Sequence, residues 1–337
     1  MNKLGLVFAG GGGKGAYQIG VWDALRKYGI DRNISAIAGN SVGGLNAALF
    51  MAGSYETAEK IWRNIHPDQI LHINFARIVQ AFLAQTLSKI SPAVISAILP
   101  ALLAHGIFSR EGLLEVLDSE ADLLGVSASG IAGYVTCCPL DDLSSVEYIK
   151  LNGLEPGLIK KYLLATSAIP GVFAAEWINN KCYVDGGTHG FINLTCGKDG
   201  ADNFPIRPLL NEGCNYVIVV HLSAASMIQR ECFPGVEILE IFPSKNLGGF
   251  MDGTLDFSAE GARRRMLLGY HDTIRVMEPF YETIKTLQAL HWSTGQISAE
   301  LAESVAETEG YLEESRAAVQ RTLRNLAQIG SDRDVKG

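Results

Sequence analysis

The chain has 337 residues, 47% hydrophobic and 19% charged, an ordinary globular mixture long enough for one large domain or two modest ones. A formal net charge of −8, with no basic run longer than Arg263-Arg264-Arg265, excludes a nucleic-acid-binding footprint and leaves only local patches to meet an anionic surface. Six cysteines without C-x-x-C spacing offer no metal or redox framework, and no apolar run has membrane-spanning or signal-peptide form. The expectation is a cytoplasmic protein with no cofactor and no metal, touching membranes at most peripherally.

Leu4 to Ala9 is a short, continuously apolar segment of the kind buried in a parallel sheet, and it runs straight into Gly10-Gly11-Gly12-Gly13-Lys14-Gly15. A helical pattern follows, with Tyr17, Ile19, Val21, Trp22, Leu25 and Tyr28 apolar and Gly29 at its end. The glycine run formally fits the dinucleotide fingerprint G-x-G-x-x-G, but that fingerprint wants an acidic residue closing the next strand. A phosphate-binding loop wants Ser or Thr after the lysine, where Gly15 stands. A bare backbone whose amides form an anion-binding nest fits better.

The next strand, Ile34 to Ala38, delivers Gly39-Asn40-Ser41-Val42-Gly43 and then an apolar helix. This is G-x-S-x-G in the strand–turn–helix setting of a nucleophile elbow, where a serine hydroxyl stands clear of the backbone at a helix N-terminus. The bland alternative is a glycine-rich turn. Two consecutive strand–loop–helix units make the strands parallel neighbours, so both glycine loops lie at the carboxyl ends of their strands. A nest beside Ser41 would serve as an oxyanion hole for acyl transfer.

Residues 70–104 are apolar and interrupted by Pro92 and Pro100, which leaves a helical cover for one sheet face and a lid or interfacial segment both open. Ser109 caps a helix start; Gly130 to Cys138 and Val146 to Leu151 read as strands; Leu158 to Thr166 reads as a helix. Trp177 to Val184 reads as a hairpin turning at Asn179-Asn180 and ending in Asp185-Gly186-Gly187. Gly190 to Gly213 reads as a long polar loop. Asn215 to Leu222 and Val236 to Phe242 are the last strands, and a helix from Ser258 reaches Asp272. Residues 296–329 are helical in pattern, with Leu301, Val305, Leu312, Val319, Leu323 and Leu326 at three-, four- and seven-residue steps, a surface for an oligomer or partner. The fold class expected is α/β: a mainly parallel central sheet with helices on both faces, plus a C-terminal helical extension. The division expected is 1–285 for the main domain and 286–337 for the extension.

Four blocks, in order, resemble the patatin-like phospholipase family: Gly10 to Gly15, Gly39 to Gly43, Ser167-Ala168-Ile169-Pro170-Gly171-Val172-Phe173, and Asp185-Gly186-Gly187. The resemblance implies a Ser41–Asp185 dyad in which Asp185 is the general base. It implies an oxyanion hole from the amides of Gly11, Gly12 and Gly13, and metal-free hydrolysis of fatty-acyl esters of phospholipids or lysophospholipids through an acyl-serine. From the residues alone, the order Ser41, Asp185, then His221 or His271 also fits a triad. A soluble esterase or thioesterase on the same dyad, or a non-catalytic module, are the other readings. The stretch Thr188 to Asp202 is longer than the family pattern, and the tail from about 286 lies outside the resemblance.

Overall fold

The computed structural model describes residues 3–65, 72–73, 108–109, 111–142, 145–170, 172–187, 203–225 and 227–334. The expected lid at 70–104 lies outside these residues apart from 72–73, as does the insert from Thr188 to Asp202. The chain divides into two compact units, Met1–Val276 and Met277–Gly337.

In the first unit an eight-stranded sheet is built from β1 (Lys3–Phe8), β2 (Ile34–Asn40), β5 (Ala132–Pro139), β6 (Glu147–Lys150), β7 (Glu176–Ile178), β8 (Lys181–Asp185), β9 (Cys214–Val220) and β10 (Glu237–Ile241). A separate antiparallel pair joins β3 (His72–Ile73) to β4 (Phe108–Ser109). The large sheet has the order β10-β9-β1-β2-β5-β8-β7, with β6 also on β5. From β10 to β5 every pairing is parallel; β6 and β8 both run antiparallel to β5, and β7 antiparallel to β8. The parallel strands are buried on both faces, as their unbroken Val, Ile and Leu runs require: Leu6, Val7, Phe8 and Val217 to Val220 are all 3% exposed or less.

Helices cover both faces: α1 (Ala16–Lys27), α2 (Val42–Met51), α3 (Tyr55–Asn64), α4 (Glu111–Ser119), α5 (Leu123–Ala128), α6 (Pro156–Thr166) and the start of α8 (Ala259–Asp334). The expected loop from Gly190 to Gly213 contains a short helix, α7 (Arg207–Asn211), where Pro208 in the first turn fixes a helical φ and has no amide to lose. The hairpin between β7 and β8 turns at Asn179 and Asn180, both at positive φ (49° and 63°), the mirror-image turn that matches strand twist. The last helix does not stop near Asp272; helix is continuous in assignment to Asp334, with Pro279 inside it. In the second unit Ile297, Leu301, Val305, Leu312 and Val319 are each more than half exposed.

One buried polar network ties α1, α2 and α3 to the end of β1. The Asn46 amide donates to the Gly15 carbonyl (3.0 Å) and to Gln18 Oε1 (2.8 Å), and its oxygen accepts from Trp62 Nε1 (2.9 Å). Gln18 in turn donates to the Ala9 carbonyl (2.7 Å). Gln18, Asn46 and Trp62 are all buried. Such a network helps only while every member is satisfied. Asn46→Leu strands a donor on Trp62 and two acceptors, and is expected to cost about 3 kcal/mol; urea unfolding at fixed pH measures it, with Trp62→Phe costing less because it deletes a donor and leaves Asn46 one open acceptor.

Candidate active site

Ser41 sits between the last residue of β2 and the first of α2 with φ 54° and ψ −129°, a left-handed φ that only three described non-glycine residues adopt. The flanking glycines permit it: a Cβ on Gly39 would overlap the Gly43 carbonyl, and one on Gly43 would overlap the Phe8 carbonyl at the end of β1. The Ser41 amide donates to Thr166 Oγ1 (3.0 Å), and that hydroxyl donates to the Thr136 carbonyl (2.7 Å), so α6 and β5 hold the turn from behind. Ser41 begins a helix, yet its hydroxyl makes no capping bond, because its backbone aims the side chain away from the first turn of α2. The hydroxyl is left for something else.

Gly10 to Gly13 lie at the carboxyl end of β1, next to β2. The Gly10 amide donates to Asn203 Oδ1 (2.9 Å), and the Lys14 backbone amide donates to the Gly11 carbonyl (3.3 Å). The amides of Gly11, Gly12 and Gly13 donate to no described residue. Gly12 has φ 56°, and a Cβ there would overlap the Thr254 carbonyl. Behind this loop lies the π-helical turn Phe250–Thr254, and both segments are gathered on one side chain, Arg265. Its guanidinium donates to the carbonyls of Gly13 (3.4 Å), Asp252 (3.0 Å) and Asp256 (3.0 Å), while Nε reaches the Leu247 carbonyl (3.2 Å). It also pairs with the Asp256 carboxylate at 2.7 Å, and it is 2% exposed. Lys14 makes no ion pair with a described residue; burial lowers its pKa, Arg265 adds to that, and Asp252 opposes it. The carboxylate of Asp252 also accepts from the Gly249 amide (2.7 Å).

Asp185 ends β8, and the registers Asn40↔Thr136 and Cys137↔Asp185 bring it level with the elbow across β5. Its Oδ1 accepts from the Gly187 amide (2.8 Å) and, at 3.4 Å, from Asn40 Nδ2, which also donates to Asn203 Oδ1 (3.1 Å). Oδ2 is enclosed and has no formed hydrogen bond to a described residue. Burial pushes the carboxyl from an ordinary 3.8 up to about 6, although the nearby Ser41 hydroxyl, the Gly187 amide and Asn40 pull it down.

Gly11, Gly12, Ser41, Asp185 and Asn203 face one cleft of about 270 Å³. Of the dyad and oxyanion-hole residues expected from sequence, Gly13 alone does not line it; its carbonyl is turned to Arg265. His221 is fully buried, with Nε2 3.0 Å from Glu240 and its ring between Phe204 and Phe242, and burial lowers its pKa to about 4. His271 lines a separate groove with Lys245 and Met251. Neither histidine lines a cavity that Ser41 lines. Asn203, Thr166 and Arg265 were not singled out as site residues by sequence reasoning. Only Arg265 carried a signal: it falls on the same helical face as Ala262 and Gly269, at steps of three and four.

A family model described as patatin-like phospholipase matches residues 6–210. Uncharacterized NTE family proteins of Mycobacterium tuberculosis and Mycobacterium bovis are each 24% identical over 224 residues, 66% of this chain and 50% of theirs, so the chain spans about half the length of these curated relatives. Among solved structures, VipD from Legionella pneumophila gives a TM-score of 0.46 at 16% identity, covering 83% of this chain and 67% of that one. The type III effector ExoU of Pseudomonas aeruginosa gives 0.41 at 14%, covering 83% and 53%.

A carboxyl raised from 3.8 to about 6 contributes its full stability below the unfolded pKa and loses it as pH rises through about 6. Ionised Asp185 therefore weakens the fold at neutral pH by about 3 kcal/mol. Asp185→Asn is expected to raise the melting temperature at pH 7.5 and to have no such benefit at pH 4, as read by calorimetry at the two pH values.

Proposed function

The chain belongs to the patatin-like phospholipase family, and from that premise we propose that it is a metal-independent lipid acyl hydrolase working through a Ser41–Asp185 dyad. The observation that carries the reading is the shared cleft: a serine hydroxyl on a strained turn, the buried carboxylate it lies beside and open backbone amides converge there. Each supplies one requirement of acyl transfer.

In the first half-reaction Ser41 Oγ attacks the ester carbonyl while its proton passes to Asp185. A carboxylate near pKa 6 is a stronger base than one at 3.8, so burial suits Asp185 to the task. The carbonyl oxygen takes up the electron pair, and the amides of Gly11 and Gly12 receive the resulting negative charge. These donors are held rigid by the Arg265 cluster and need no reorganisation at the moment of reaction. Collapse of the tetrahedral centre breaks the bond to the alcohol oxygen, which takes the proton back from Asp185. In the second half, water gives its proton to Asp185 and attacks the acyl-serine, and fatty acid leaves with Ser41 re-protonated. No histidine is needed in either half. Asn40 and Asn203 act as positioning residues, one amide bridging the carboxylate to the anchor of the glycine loop.

Ser41→Ala and Asp185→Asn are each expected to lower kcat/KM on a phospholipid or a short acyl ester by at least a thousandfold, with the fold retained. His271→Ala should stay within a few-fold of wild type; a loss of several orders of magnitude would establish a triad instead. Because Asp185 acts ionised, kcat/KM should fall as pH drops through about 6, and a rate still level at pH 4.5 would remove Asp185 as the base. Labelling of intact protein by a fluorophosphonate, abolished in Ser41→Ala, tests the nucleophile directly.

A further inference from the structure

Ser41 also lines a second cavity, which shares Gly12, Ile169 and Thr254 with the cleft that holds Asp185, and the two differ in character. This one runs between α2, α3 and α4, and its walls are apolar: Leu45, Leu49, Ile61, Leu113 and Leu117 among them. Three of the polar side chains that line it are committed to protein partners. Asn46 and Trp62 bond within the network described above, and the Ser167 hydroxyl donates to the Leu163 and Leu164 carbonyls. A ligand there would meet hydrocarbon from Ser41 onward.

The cavity has direction. Val42, Leu45, Ala48, Leu49 and Ala52 face it, a single stripe along α2 from its first residue to its C-cap. At 1.5 Å per residue the stripe is about 15 Å long, the length of roughly a dozen methylenes. The cavity volume is about 80 Å³. Spread evenly over that length, it admits a single row of water-sized groups, about the girth of one extended alkyl chain. Asp122, an exposed residue whose carboxylate caps α5 by accepting from Gly125 (2.8 Å), also borders the cavity. Hydrocarbon that reached Asp122 would meet a hydrated charge and gain nothing more from burial.

We propose that this cavity seats the acyl chain of the substrate and measures it, favouring chains of about a dozen carbons, with Ala48 and Ala52 as the residues that keep the bore open. The inference rests on the reading of Ser41 as the acyl-accepting residue and adds which acyl groups it accepts. The wider cleft with Asp185 and Asn203 then receives the alcohol side of the ester. Ala48 stands about 10 Å along the stripe, so a larger side chain there closes the distal part and leaves the part next to Ser41.

The test is binding of free fatty acids to the full chain carrying Ser41→Ala, by isothermal titration below their critical micelle concentrations. This readout does not need turnover. Dodecanoate is expected to bind at least tenfold more tightly than octanoate, because each buried methylene adds to affinity, and hexadecanoate less than threefold more tightly than dodecanoate. Adding Ala48→Leu should remove the advantage of dodecanoate over octanoate; Ala52→Leu, at the end of the helix, should shorten the preferred chain by less. Thermal melts confirm that each variant is folded, and the second variant carries the test where the first is not. Affinity independent of chain length, or a profile unmoved by the folded variants, overturns the proposal. Fluorophosphonate labelling of wild-type Ser41 separates the two readings: labelled protein with a flat chain-length profile loses only the acyl seat, whereas unlabelled protein loses the acyl-serine.

Discussion

The left-handed backbone at Ser41 is the constraint on which the rest depends. A non-glycine residue held there costs on the order of 1–3 kcal/mol and persists only where its surroundings over-determine it. Here they do. Gly39 and Gly43 allow the carbonyls of β1 and α2 to close on the turn, Thr166 holds the amide from α6, and the β1–β2 pairing fixes the glycine loop one strand away. The sheet and its helices can be seen as a frame that makes one unfavourable dihedral angle the best available, and the hydroxyl is displayed as a result.

A second theme is burial of charge near that turn, handled in two opposite ways. Arg265 is sheathed in carbonyl oxygens and one carboxylate, so its charge is neutralised by hydrogen bonds and its effect is mechanical. Asp185 is left short of partners on one oxygen, so its charge is unstable and its hold on a proton is strengthened. A fully bonded ion organises a loop; a partly bonded one holds a proton affinity that solvent would not allow. The same low-dielectric interior produces both outcomes, and the number of bonds offered decides between them.

Most of the frame was legible in the sequence because it depends on local rules. Unbroken apolar strands marked the parallel sheet, Asn179-Asn180 marked the hairpin, and G-x-S-x-G between strand and helix marked the elbow. What was hidden depends on tertiary pairing. Nothing local distinguishes Arg265 from exposed Arg263 and Arg264 until the helix face is known, and the partner of Asn203 lies 193 residues away. The helix in 207–211 was missed because its one good signal, Pro208 in the first turn, reads equally as a loop proline. The continuation of α8 past Asp272 was missed for the converse reason: Gly269 and Pro279 look like terminators, and neither ends it.

The Arg265 clamp also has a place in time. The glycine loop occupies residues 10–15, and its anchor bonds to Gly13 across 252 positions; Tyr17 meets Asp272 across 255. During synthesis the chain leaves the ribosome from its N-terminus, at about 5–20 residues each second. This loop must therefore wait for almost the whole of the rest of unit Met1–Val276 before its last support arrives. Until then the sheet can form around β1 and β2 while the loop lacks its finished shape, so this loop is among the last parts of its unit to be completed.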